Sequence, residues 1–90
     1  MAKYVEVDKM VYVMYCYVGM ENESGEMEDI FDHPEEYYAD TQEELKKLWD
    51  KFVSEEDGIY GYYGDTPAYY TDHIISDEKE KRTFYEKVTE

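Results

Sequence analysis

The decapeptide Met10 to Gly19, MVYVMYCYVG, has no polar face. In an extended chain Val11, Val13, Tyr15 and Tyr17 point one way and Tyr12, Met14, Cys16 and Val18 the other. A β-branched and aromatic run that is apolar on both sides predicts a central strand. Lys3 to Val7 alternates and predicts either an extension of it or an earlier strand. Glu21 to Gly25 (ENESG) carries turn chemistry, and Glu26 to Asp32 predicts a partner strand with a mostly wet face, so the two form a hairpin.

The period then changes. Leu45, Leu48, Trp49, Phe52 and Val53 recur at helical spacing and predict an amphipathic helix over about 42–56. Thr41 is a good N-cap with Glu44 three residues on, the capping-box arrangement, and Gly58 is a natural stop. Asp32-His33-Pro34 predicts a short preceding helical turn carrying Tyr37 and Tyr38, because proline suits the first position of a helix. Ile59 to Tyr63 and Ala68 to Ile75 flank Gly64-Asp65-Thr66-Pro67 and predict a second, tyrosine-rich hairpin. The stretch over 78–88 is open. Asp77 and Glu80 are capping residues for a helix bearing Phe84, Tyr85 and Val88, which tips the reading toward helix, while Arg82 to Val88 also suits a strand. The expectation is one domain, 1–90, of the α+β class: a small antiparallel β-sheet with the amphipathic helix packed on a face.

Composition adds a strong charge signal. The 90 residues hold 24 acidic and 9 basic side chains, a net charge of −15, with 18% aromatic residues. Disordered acidic chains are poor in aromatics, so a folded core is expected. Solubility calls for a charge of roughly 2–8 in a small domain and does not account for this excess. The bases are segregated. None lies between Lys9 and Lys46, whereas Met20 to Glu36 alone holds eight carboxylates. There is one cysteine, no signal-like N-terminus and no apolar run of the roughly 20 residues a membrane span needs, which gives the expectation of a soluble cytoplasmic protein.

The charge excludes anionic membranes and free nucleic acid as partners and favours a basic surface. Catalytic signals are weak. Asp32-His33 and Asp72-His73 each set a carboxylate beside an imidazole, but neighbours in a strand face opposite ways. Cys16 sits in the apolar strand, and Gly58, Gly61 and Gly64 lack the Lys-Ser/Thr of a phosphate loop. Glu21, Glu23, Glu26, Glu28 and Asp29 do not keep the spacing of a calcium loop. The expectation is no enzyme, no cofactor and no metal.

Tyrosine is the second anomaly, with twelve in the chain. Tyr37, Tyr38, Tyr62, Tyr63, Tyr69 and Tyr70, added to the strand tyrosines, exceed what a small core holds, so some rings are expected on the surface. Tyrosine gives a rigid contact with a polar tip and stacks on arginine while carboxylates pair with it. Duplex DNA carries one charge per ~1.7 Å of axis, so a net charge of −15 laid along one side matches about 25 Å of duplex.

In size, acidity and aromatic content the whole chain resembles the small phage and mobile-element inhibitors that imitate DNA: anti-restriction proteins, anti-CRISPR proteins and uracil-DNA glycosylase inhibitors. No family motif is matched. The glycosylase inhibitors' acidic-serine element continues with apolar residues, whereas Glu23-Ser24 is followed by Gly25 and Glu26. The resemblance implies a non-enzymatic inhibitor that blocks the basic channel of a nucleic-acid-binding host defence protein, a CRISPR effector first and a restriction enzyme second. The expected contact residues are the acids Glu21, Glu23, Glu26, Glu28, Asp29, Asp32, Glu35, Glu36, Asp40 and Asp65 and the rings of Tyr37, Tyr38, Tyr62, Tyr63, Tyr69 and Tyr70. The alternative is an adaptor or regulatory subunit that binds through the tyrosine-rich hairpin.

Overall fold

A computed structural model describes residues 3–55 and 57–88. The chain is α+β: the described residues form six antiparallel strands and one helix packed against them. The elements are β1 (Lys3–Glu21), β2 (Met27–Asp29), β3 (Glu35–Ala39), α1 (Gln42–Ser54), β4 (Ile59–Tyr63), β5 (Thr66–Ile75) and β6 (Glu80–Val88).

Everything is organised on β1. Its C-terminal half pairs with β2 (Gly19 opposite Asp29), β3 (Met14 opposite Tyr37) and β5 (Cys16 opposite His73), and β4 completes the sheet beyond β5. Its N-terminal half pairs, among the described residues, only with β6, from Lys3 opposite Val88 to Val11 opposite Glu80. The molecule is therefore a body with a two-stranded arm. Its radius of gyration is 16.3 Å and its long axis 54 Å; a compact chain of this length has a radius near 12 Å.

The helix forms as its pattern requires. The Thr41 side chain accepts from the Glu44 N–H at 3.2 Å, Glu43 and Glu44 occupy the first turn and Lys51 the last. Gly58, at φ +75°, closes the C-terminal end with its N–H on the Phe52 carbonyl. The expected last helical residue, Glu56, lies outside the described residues. One sheet face meets α1. Met14, Cys16 and Leu45 are fully buried there, with Tyr12, Tyr37, Leu48, Trp49, Phe52, Tyr70 and Ile75 packed around them. The rings interlock, with Phe52 parallel to Tyr70 at 4.6 Å and tilted against Tyr37 at 5.1 Å.

Two expectations are corrected. Residues 35–39 form a strand, not a helical turn. The bare edge of β1 from Tyr12 to Cys16 needs hydrogen-bond partners, and Glu35-Glu36-Tyr37-Tyr38-Ala39 alternates so that Tyr37 and Ala39 point to the core. Residues 80–88 form a strand, not a helix. A nine-residue helix with nothing to pack on is marginal, whereas β1 offers nine pairing positions. The partner strand expected over 26–32 pairs only from Met27 to Asp29. The following segment reaches Pro34, which has no N–H to give to a ladder.

The arm does not continue the body in a straight line. Arg82, in the register of Lys9, hydrogen-bonds Glu36, in the register of Tyr15. Six residues of straight strand span about 20 Å, more than the two side chains reach. β1 therefore bends toward the face away from α1, and Val11 and Val13 are buried inside the bend. Ser76 pins the corner: its Oγ accepts from the Val13 N–H, its N–H donates to the Val13 carbonyl, and its own carbonyl accepts from Gln42 of the helix. No helix among the described residues is long and apolar enough to cross a membrane.

Candidate functional site

The end of the body remote from the arm is made of two hairpin turns. β1 and β2 meet through residues 22–26, and β4 and β5 meet through Gly64-Asp65. Met20 lies opposite Ala68, which brings the second turn to the same end as the first. The β1–β2 turn is built by Asn22. Its side-chain oxygen accepts from the N–H groups of Ser24 (2.9 Å) and Glu26 (3.0 Å), and its amide nitrogen donates to Glu28 (2.9 Å). Close strand approach is secured by Gly19, where a Cβ would sit 2.9 Å from the Glu28 carbonyl oxygen.

Here the expected acids gather. Glu21, Glu23, Glu26, Glu28 and Asp29 are exposed here, Asp32 is exposed on the segment that leads back to β3, and none of the six is ion-paired with a Lys or Arg among the described residues. Asp65 is exposed on the neighbouring turn, with Tyr62 at 65% exposure and Tyr63 at 50%. Tyr69 is half-buried opposite Gly19 on the face away from the helix.

The remaining expected contact residues lie elsewhere, and all but Asp40 are engaged internally. Tyr37 and Tyr70 pack in the helix-facing core. Glu35 accepts from the Tyr60 hydroxyl at 3.2 Å. Burial first and this carboxylate second push the Tyr60 phenol above its usual range. Glu36 takes the Arg82 Nε at 3.0 Å and the Tyr38 hydroxyl at 3.1 Å, and Tyr38 meets Phe84 edge-on at 5.3 Å. Asp40 lies at the arm side of the body, where it lines a cleft with Lys9, Tyr38, Glu44 and Phe84.

Two organising residues were not among the sequence candidates. Asn22 had a readable signal, as the first turn residue of a carboxylate-rich hairpin. Arg82 had none. It joins Glu36, Glu80 (3.1 Å) and the Tyr15 hydroxyl (3.0 Å), a junction of arm and body that exists only once β1 has bent. The hydrogen bond to Glu36 is the leading reason its guanidinium is held even more firmly protonated than usual.

The catalytic candidates do not assemble. Asp72 accepts from the backbone N–H of His73, while the His73 ring stacks on Trp49 at 4.1 Å. Cys16 is fully buried, and burial, reinforced by Glu35, pushes its thiol up to about 11. Among the described residues no three His, Cys, Asp or Glu side chains converge as a metal site. Comparison with protein-family models, curated proteins and solved structures finds no match to this chain.

Proposed function

We propose that this chain is a non-enzymatic inhibitor that imitates nucleic acid and occupies the basic channel of a nucleic-acid-binding host defence protein, a CRISPR effector in the first instance and a restriction enzyme in the second. The observation that carries the reading is the set Glu21, Glu23, Glu26, Glu28 and Asp29, exposed at one end with Asp32 exposed on the segment that leads away from it, none with a Lys or Arg partner among the described residues. Unpaired surface carboxylates repel one another and cost stability, and a basic partner turns that cost into steering and pairing. Tyr62 and Tyr63, on the adjoining hairpin, supply stacking surfaces for arginine.

The test is a pull-down of bacterial nucleic-acid-binding proteins on the immobilised chain, followed by charge reversal. A retained nuclease or CRISPR complex is expected to elute as salt rises and to be displaced by added DNA. Reversing Glu26, Glu28 and Asp29 to Lys is expected to weaken its capture by about 100-fold or more, in line with losses of 2–5 kcal/mol at tightly desolvated charge pairs. A partner that ignores salt, DNA and the reversal, but is lost with Tyr62→Ser and Tyr63→Ser, supports an adaptor instead.

A further inference from the structure

The helix-facing side of the sheet does not end where the helix ends. A 13-residue helix is about 20 Å long, whereas the 19 residues of β1 run about 60 Å along their path. Past Tyr12 the same face continues along the arm as Met10, Asp8, Glu6 and Tyr4 on β1, opposite Lys81, Thr83, Tyr85 and Lys87 on β6. All eight side chains are exposed, and three are large and apolar or aromatic: Tyr4 at 67%, Tyr85 at 68% and Met10 at 55%. The opposite side of the arm lies inside the bend and is partly covered. A two-stranded ribbon on its own is marginal in water, and this one also leaves the outer main-chain edges of both strands without a strand partner among the described residues.

We infer that this face is a self-association surface that takes the arm of a second copy of the chain. Charge selects that occupant. The arm holds five bases (Lys3, Lys9, Lys81, Arg82, Lys87) against four acids (Glu6, Asp8, Glu80, Glu86), a net of +1, so the whole of the −15 and one charge more lies outside it. The exposed face itself carries two acids and two bases, and Asp8 is already held by Lys81 at 3.3 Å and Thr83 at 2.7 Å. A basic target finds little unmatched charge there, and the acidic body of another copy is not needed to cover it. A second arm meets it without net repulsion. Laid antiparallel, the two arms put the two strongly acidic bodies at opposite ends, the arrangement that costs least in Coulomb energy. The dimer would then present two acidic ends, and this holds whatever those ends bind.

The experiment is sedimentation velocity on the full chain across a concentration series at low and high salt. A species of twice the 10.9 kDa chain mass is expected to grow with concentration. It is expected to grow further with salt, because screening relieves body–body repulsion. Capture of a basic target weakens with salt, so the two interactions separate in one titration. Tyr4→Ser with Tyr85→Ser is expected to raise the dissociation constant at least about tenfold, while Tyr62→Ser leaves it unchanged. Hydrogen exchange of the unmodified protein at low and high concentration gives a readout independent of any variant: amides of 3–10 and 81–88 are expected to slow as the dimer fills. A chain that stays monomeric throughout overturns the inference, as does a dimer indifferent to the paired substitution or concentration-dependent protection confined to the body.

Discussion

The two ends of this molecule treat charge in opposite ways. In the arm almost every charged side chain has a cross-strand or diagonal partner. Lys9 pairs with Glu86 at 2.7 Å and Lys81 with Asp8 at 3.3 Å, while the Glu6 carboxylate takes the Tyr85 hydroxyl at 3.4 Å. At the far end the carboxylates of the β1–β2 hairpin have one another and Asn22. The arm has no helix over it, so its strands are held by a hydrogen-bonded ladder and by exposed pairs worth a few tenths of a kcal/mol each. The body has α1 and a ring-rich core, and that surplus of stability lets it carry repulsion at its tip. Unbalanced charge sits where a core can tolerate it, and balanced charge sits where the chain has little else.

Core truncation gives the largest effect and tests whether stability resides in the body. Leu45→Ala removes the fully buried helix residue and is expected to cost about 3 kcal/mol. Tyr85→Ala in the arm is expected to cost less than about 1 kcal/mol. Urea unfolding followed by Trp49 fluorescence compares them, and equal losses would erase the distinction between the two regions.

A smaller effect comes from the junction. Arg82→Met leaves Glu36 and Glu80 without their shared cation beside Tyr15. These groups are partly exposed, so a loss of about 1 kcal/mol is expected. Faster hydrogen exchange is expected in the arm and not in α1. If α1 loosens as much as the arm, Arg82 holds the whole sheet rather than the bend.

The smallest effect concerns alkali. The Cys16 thiol is raised from 9.0 to about 11 by burial and Glu35, so between these values the folded chain binds more protons than the unfolded one. The thiol's contribution is therefore complete below about pH 9 and is lost as pH rises toward 11. Cys16→Ala is expected to flatten that part of the stability curve. At pH 8 the thiol is expected to resist a disulfide reagent until denaturant is added. Rapid labelling of the folded protein would place the weak point of the structure in the body.

The elements that could be read from the sequence are those coded by neighbours. The Thr41 cap, the Leu45–Leu48–Trp49–Phe52 stripe and Gly58 define α1 locally, and the two-sided apolar run of β1 and the Gly64-Asp65 turn are equally direct. In the sequence β3 reads as a helical turn and β6 stays open with a lean to helix, because their strand character comes from a distant partner. Lys3 and Val88 lie at opposite ends of the chain, and no local feature of Arg82 to Val88 announces that β1 extends far enough to receive it. The site divides in the same manner. That the acids of 21–32 are exposed follows from their spacing in a turn and a wet strand. That Glu35 and Glu36 are engaged does not, because Tyr60 and Arg82 reach them only through the folded sheet.

By itself the sequence determined the class of the fold, the helix, the central strand, and the excess of negative charge with its bases set apart. Tertiary structure alone decided which tyrosine of the Tyr37-Tyr38 and Tyr69-Tyr70 pairs faces the core. Neighbours in a strand face opposite ways, so Tyr37 and Tyr70 go inward while Tyr38 and Tyr69 take the other face; the unbroken pairing of β3 with β1 sets the first phase and the register shift beside Thr71 the second. It also decided that β1 bends, because the bend comes from side chains far apart in the sequence meeting across one face. Local chemistry chooses the elements, and long-range pairing chooses the side each residue shows to solvent.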